Sequence, residues 1–246
     1  MKMICWFLSG FPSIEESEKI LDIYVEAGCE AIEWSIPVSN PYREQDHLKP
    51  WAIEAYQKCS DYKKHLEEIS KFKKKYPNIE VYPGIYMEMT NALGVDNIIK
   101  FFKNNNIATI FMVGTYTQDL IDSYKSAGLM LTQSSVSYYM KEEELAKAKD
   151  GNGFIYMQAL PYESELKAGY TTNRLKECVT ILRRECPNRP IYCAKGIRKP
   201  EDLKIIYESG ADGYILGSLL INEYGDLEKL KKTIKEYKKY ADGLVR

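Results

Sequence analysis

Short apolar runs alternate with amphipathic stretches from one end of this chain to the other. The runs "MICWFL" (3–8), "AIEWSI" (31–36), "IEVYPGIY" (79–86), "ATIFMV" (108–113), "LMLTQ" (129–133), "FIYMQ" (154–158), "PIYCA" (190–194) and "GYILG" (213–217) read as buried strands. Between them, the spacing of apolar positions predicts helices near 14–27, 51–75, 94–104, 117–127, 140–149, 173–186, 200–209 and 226–241. In the first of these, Ile14, Ile20, Leu21, Ile23, Tyr24 and Ala27 fall mostly on one face, and Ser13 followed by Glu16 forms a capping box at its start. Pro200 before Glu201 and Asp202 makes a good first turn, because proline sits where no donor is needed. Gly28, Gly128 and Gly210 each stand where a helix stops before the next strand. Eight βα units in strict alternation predict an α/β chain folded as a (β/α)8 TIM barrel, a single domain over 1–246. An open doubly wound sheet is the rival, and the count of eight and the lack of an early glycine-rich nucleotide loop favour the barrel.

Composition narrows the function classes. Lys and Arg number 34 against 35 Asp and Glu, so the chain lacks the electrostatic pull of a nucleic-acid or membrane-surface protein. Hydrophobic residues make up 45% of the chain, enough for a sizeable core, but no run approaches the length of a membrane-spanning helix. The apolar start "MICWFL" is too short for a signal peptide and reads as the first strand. The six cysteines, at 5, 29, 59, 178, 186 and 193, show no CxxC spacing and lie mostly in apolar or helical runs, which predicts reduced thiols in a cytoplasmic protein. With only His47 and His65 available, a histidine-based metal site is not expected, and no cofactor signature is present. The chain has 20 Tyr against 7 Phe, and tyrosine suits half-buried faces and polar pockets.

Two features carry chemistry on their own. Glu33 is an acid inside an otherwise strand-like run, a costly placement unless the carboxyl is paired or used. In a barrel, function sits at the C-terminal ends of the strands. There the seventh strand runs into Gly196 and the eighth into Gly217 and Ser218. Backbone N–H groups at Gly196, Gly217 and Ser218, beside helix starts, suit a phosphate; the alternative is that the glycines only make tight turns.

The stretch "IEWSIPVSNP" resembles the motif E-L-G-x-P-x-S-D-P of the tryptophan synthase α subunit family. Further similarities follow in order along nearly the whole chain: "SGFPS" after strand one, "GFIYMQ" at strand six, "AGYTTN" in the sixth loop, "GIRKPED" for G-I-x-x-P-E, and "GYILGSLLI" at the last strand. The resemblance implies a (β/α)8 barrel and a lyase that cleaves indole-3-glycerol phosphate by a retro-aldol reaction. It implies Glu33 as the proton-shuttling acid/base, a task suited to a carboxyl whose pKa an apolar strand raises. It implies a second acid in the loop 39–50, filled here by Glu44, with Asp46 two residues on as the alternative, and Tyr156 beside it. Phosphate contacts fall on Thr172, Gly196, Gly217 and Ser218, and Trp6, Tyr86, Phe111 and Lys195 count as pocket residues.

The departures from the family cluster in that pocket. Lys195 replaces an aromatic that packs on the indole, Trp6 a smaller aromatic, Phe111 an aliphatic, and Gly114 and Asn40 aspartates. Thr172 stands for a phosphate-loop glycine, and "LPYESELK" (160–167) is an insertion in the sixth loop. These changes imply an altered phosphorylated substrate. An aldolase or isomerase using Lys195, or a barrel that binds a phosphometabolite or partner without turnover, is the alternative. The family's α subunit docks on a pyridoxal-phosphate β subunit through loops on this face, where Asn40, Glu44 and Gly114 differ.

Overall fold

The computed structural model describes residues 1–133 and 135–244. Its strands are β1 (Lys2–Leu8), β2 (Ala31–Ser35), β3 (Glu80–Tyr86), β4 (Thr109–Val113), β5 (Met130–Thr132), β6 (Ser135–Val136), β7 (Ile155–Gln158), β8 (Ile191–Ala194) and β9 (Gly213–Leu216). Its helices are α1 (Ile14–Glu26), α2 (Lys49–Lys58), α3 (Tyr62–Lys75), α4 (Met87–Leu93), α5 (Val95–Asn104), α6 (Gln118–Ser126), α7 (Glu142–Asp150), α8 (Glu163–Lys167), α9 (Arg174–Glu185), α10 (Asp202–Ser209), α11 (Ser218–Ile221) and α12 (Leu227–Asp242). All strand pairs are parallel, in the order β5-β4-β3-β2-β1-β9-β8-β7-β6. The two ends of that order, β5 and β6, follow each other in the chain, so the sheet curls back to where it began and forms the expected (β/α)8 barrel.

Four elements differ from the sequence expectation. The fifth strand is two short pieces, β5 and β6, rather than one run over 129–133. The helix expected over 51–75 is broken over 59–61, where the Asp61 carboxylate accepts the Lys63 N–H and starts α3 afresh. The short helices α4 and α8 lie in segments whose brief apolar spacing gives no periodic signal. Of the capping box expected at Ser13, the Ser13 half forms, its hydroxyl accepting the Glu16 N–H at 3.3 Å.

The period of two along β2 sets the architecture. Trp34 points outward and is fully buried, edge-on to Phe7 at 4.7 Å and against Phe72 of α3 at 5.6 Å. Glu33 and Ser35 point the other way, into the barrel. The interior is filled with aromatics: Tyr82 meets Phe154 at 5.0 Å, Phe154 meets Tyr192 at 5.1 Å, and Tyr156 stacks on Phe111 at 5.2 Å and 22°. Lys2 closes the lower end, its ammonium paired with Glu80 and lying 5.5 Å over the Tyr82 ring. The tyrosine-rich composition thus serves the barrel interior, where rings supply area and hydroxyls find partners.

Gly213, where β9 enters between β1 and β8, has no room for a side chain. A Cβ there would strike the Lys2 carbonyl and come within 3.1 Å of the Tyr192 ring. Gly213→Ala should cost about 1–3 kcal/mol by overpacking, read as a lower urea midpoint with an unchanged slope.

The turn after β1 is pinned by a buried polar cluster. Ser9 Oγ lies 2.7 Å from His65 Nδ1 and donates to Glu68, Ser17 donates to the other Glu68 oxygen, and His65 Nε2 lies 2.9 Å from the Cys59 carbonyl. Burial lowers the His65 pKa, and it raises that of Glu68 to about 7 in spite of the lowering effect of the Ser17 and Ser9 hydroxyls. His65 is therefore a packed, hydrogen-bonded histidine in the α1–α3 interface. Among the described residues no helix is long and apolar enough to cross a membrane.

Candidate active site

A cavity of about 380 Å³ opens at the C-terminal ends of the strands. Its wall includes Trp6, Glu33, Glu44, Phe111, Tyr156, Lys195, Gly196, Gly217 and Ser218, which gathers most of the residues singled out in the sequence. Register explains the inner level: Trp6 on β1 pairs with Glu33 on β2, and Ser135 on β6 pairs with Tyr156 on β7. Paired residues of parallel strands share a face, so these side chains reach the same interior.

Glu33 is 7% exposed, and its Oε2 has no hydrogen-bond partner. Burial, and after it the nearby Glu44 carboxyl, raise its pKa to about 8 against the lowering pull of Lys195 and the Tyr156 hydroxyl. At neutral pH the group is mostly an uncharged acid on the cavity wall. Glu44 reaches in from the second loop and accepts from Tyr86 Oη at 3.4 Å and Ser35 Oγ at 3.5 Å. Burial raises its pKa as well, against these hydroxyls. Asp46, the alternative acid, points to solvent and pairs with Lys49 at 2.7 Å, so the loop delivers Glu44 and not Asp46. Tyr86 supports Glu44 from behind rather than lining the cavity itself.

Lys195 sits just past β8 with φ of +69°, in the left-handed region that non-glycine residues seldom occupy. Its Nζ donates to Ser135 Oγ at 2.9 Å and lies 5.5 Å over the Tyr156 ring. Desolvation lowers its pKa, partly countered by Glu33, Glu44 and Glu144.

Gly196 follows at φ +87°, with the sixth loop packed on it: a Cβ would meet Leu160 Cβ at 2.9 Å. The Arg198 and Lys199 N–H groups are already bonded to Asp202, which leaves the Gly196 side of this turn facing the cavity. Across from it, Gly217 and Ser218 open α11, whose first-turn N–H groups lie outside the helix's own ladder. Thr172, expected in the same cradle, does not line the cavity. Its carbonyl is committed to the turn into α9, and the insertion before it is taken up by α8. The buried Glu165 anchors α8, accepting from Tyr138 N at 3.1 Å, Tyr162 N at 2.8 Å and the Gln158 amide.

Gly114, with φ of +103°, leaves the space that the Tyr42 ring and hydroxyl fill; any side chain there would collide with them. Tyr42 in turn stands edge-on to Tyr86 at 5.7 Å. The sequence reading missed Arg43, Ser135, Glu143, Glu144 and Lys147 of the cavity wall. The three on α7 look like an ordinary solvated helix face, and only the short link from β6 to α7 could have hinted that this helix start overlooks the barrel mouth. Among the described residues no group of three or more His, Cys, Asp or Glu could hold a metal ion.

Known proteins resemble this chain in sequence and in fold. A tryptophan synthase alpha chain from Arabidopsis thaliana is 24% identical over 250 residues, covering 98% of this chain and 88% of its own length. One from Aliivibrio fischeri is 25% identical over 240 residues, covering 93% and 87%. Among solved structures, tryptophan synthase subunit alpha from Legionella pneumophila shares the fold with a TM-score of 0.84 at 18% identity, over 99% of this chain and 93% of that one. A chain of the tryptophan synthase complex from Pyrococcus furiosus shares it at 0.81 and 18%, over 97% and 98%. The family model described as tryptophan synthase alpha chain matches residues 1–244, and the chain therefore belongs to that family of carbon–carbon lyases.

Proposed function

We propose that this chain cleaves a carbon–carbon bond of a phosphorylated substrate by retro-aldol chemistry, on indole-3-glycerol phosphate or a related compound. The observation that carries the reading is Glu33: a carboxyl on the cavity wall inside the barrel, held mostly protonated at neutral pH, with one buried oxygen that has no hydrogen-bond partner. A group poised near the working pH can give a proton to the departing carbon and take one from the hydroxyl that becomes a carbonyl. Trp6, Phe111 and Tyr156 supply flat walls for an aromatic nucleus. Glu44 is the second acid, positioned to accept a ring N–H or hydroxyl. The N–H groups of Gly196, Gly217 and Ser218 hold the phosphate, because unpaired donors at a helix start attract a dianion. The phosphate fixes one end of the substrate and sets the scissile bond over Glu33.

A β-type partner, implied by the resemblance, would seat on the exposed rim that includes Tyr42, Tyr139, Tyr162 and Leu166; gel filtration of the mixed chains reads whether it does. The activity test is incubation with indole-3-glycerol phosphate while following indole and glyceraldehyde 3-phosphate. Stoichiometric release of both supports the family substrate. No release while glycerol 3-phosphate still binds overturns that substrate and leaves a related phosphorylated one.

A further inference from the structure

Lys195 is the residue that the retro-aldol reading leaves without a task. Its placement is expensive twice over. The backbone adopts a left-handed conformation at +69°, which is strained in a non-glycine residue. The ammonium is also carried out of bulk water into the cavity wall. A lysine needed only as a counter-ion would rest on a carboxylate, yet its hydrogen bond goes to a hydroxyl, Ser135 Oγ at 2.9 Å. The Tyr156 ring lies beneath it at 5.5 Å, and Glu33 and Glu44 sit near enough to act on its charge without taking it as a bonded partner. Gly196, the next residue, carries one of the N–H groups assigned to phosphate, so a carbonyl a few atoms from a bound phosphate falls within the arc of the lysine side chain.

We propose that Lys195 is an imine-forming nucleophile and that the cavity also takes phosphorylated β-hydroxy ketones, cleaving them as an aldolase. The proposal rests on the phosphate reading above. The neutral amine attacks the carbonyl carbon to form a C–N bond, and the carbonyl oxygen leaves as water with a proton supplied by Glu33. The resulting iminium draws the electrons of the neighbouring C–C bond, while the β-hydroxyl gives its proton to the Glu33 carboxylate and departs as an aldehyde. Glu33 returns that proton to the enamine carbon, and one water hydrolyses the iminium, restoring the amine and releasing the second carbonyl product. Water lost in the first step is regained in the last, and no oxidant or reductant is consumed. Burial favours the neutral amine this requires.

The test is reductive trapping. The protein is incubated with dihydroxyacetone phosphate and cyanoborohydride, followed by intact-mass measurement and peptide mapping. The expected result is one covalent adduct on Lys195, suppressed by inorganic phosphate and absent from Lys195→Met. Lys195→Arg keeps the charge and should lose the adduct and ketone cleavage together while still binding glycerol 3-phosphate. Glycerol 3-phosphate binding without an adduct on Lys195 overturns the imine and leaves the phosphate reading standing. Adducts scattered over surface lysines, or ketone cleavage retained by Lys195→Arg, overturn it as well. Failure of inorganic phosphate and glycerol 3-phosphate to bind at all removes both readings.

Discussion

Glu33→Gln should lower the turnover of carbon–carbon cleavage by about 10²–10⁴-fold with little change in affinity for the phosphate end of the substrate. Glutamine keeps the volume and one acceptor oxygen, so the cavity shape survives. What it cannot do is exchange a proton, which is the role assigned to this carboxyl. The same substitution should change stability in a pH-dependent way whose sign follows from burial. The folded Glu33 titrates at about 8, against an ordinary value of 4.5. Between those limits the folded chain holds a proton that the unfolded chain has released. Stability is therefore fully present below 4.5 and declines as pH rises through about 8. Glutamine has no such decline. At pH 8 the variant should be more stable than the parent by on the order of 2–4 kcal/mol, and the two should converge in acid. Glu68, raised to about 7, imposes its own decline on both proteins and cancels from the difference. Denaturant titrations at three or four pH values read the effect. Equal pH dependence in parent and variant would show that Glu33 ionises freely, and the acid/base role would go with it.

Ser218→Asp should weaken glycerol 3-phosphate binding by at least ~100-fold, since two like charges about 4 Å apart near a protein surface repel by several kcal/mol. Ser218 is the first residue of α11 and lines the cavity. An aspartate suits the first turn of a helix, because the N-terminal dipole favours negative charge, so the chain should fold as before. The carboxylate then occupies the place and the charge of the bound phosphate. Ser218→Ala, which keeps the backbone N–H, should bind almost as the parent does. Calorimetry separates the two, and a thermal melt confirms that both are folded. The same experiment cannot be run cleanly at Gly196, where any side chain strikes Leu160. If Ser218→Asp binds the phosphate ester as tightly as the parent, the anion lies elsewhere.

The barrel was readable because its signal is repeated. Eight apolar runs of strand length, each followed by an amphipathic stretch, leave few other topologies, and β1, β2, β7, β8 and β9 lie within the expected runs to a residue or so. The place of Glu33 on the cavity wall was readable for a related reason: a lone acid in an apolar strand breaks the pattern, and such breaks mark candidate sites. The failures are local contests that pattern does not decide. The first helix stops at Lys58 and Asp61 caps the next because its side chain reaches the Lys63 N–H, yet the surrounding spacing continues the helical period. Glu44 and Asp46 are equivalent on paper; Ser35 and Tyr86 draw one inward, and Lys49 holds the other outside. Thr172 follows an insertion whose folding into α8 depends on the buried Glu165, a contact that spans several loops. The left-handed backbone of Lys195 leaves no trace in composition or period. Its presence beside Gly196 becomes meaningful only once both residues are seen at the mouth of the cavity.

The central claim is that the turns after β8 and β9 hold a phosphate and thereby aim the substrate at Glu33. A crystal structure with glycerol 3-phosphate tests it most directly. The phosphoryl group is expected between the Gly196 turn and the Gly217–Ser218 N–H groups, with the glycerol carbons pointing down toward the Glu33 carboxyl. A phosphoryl group bound elsewhere, or carbons directed away from that carboxyl into solvent, would contradict it.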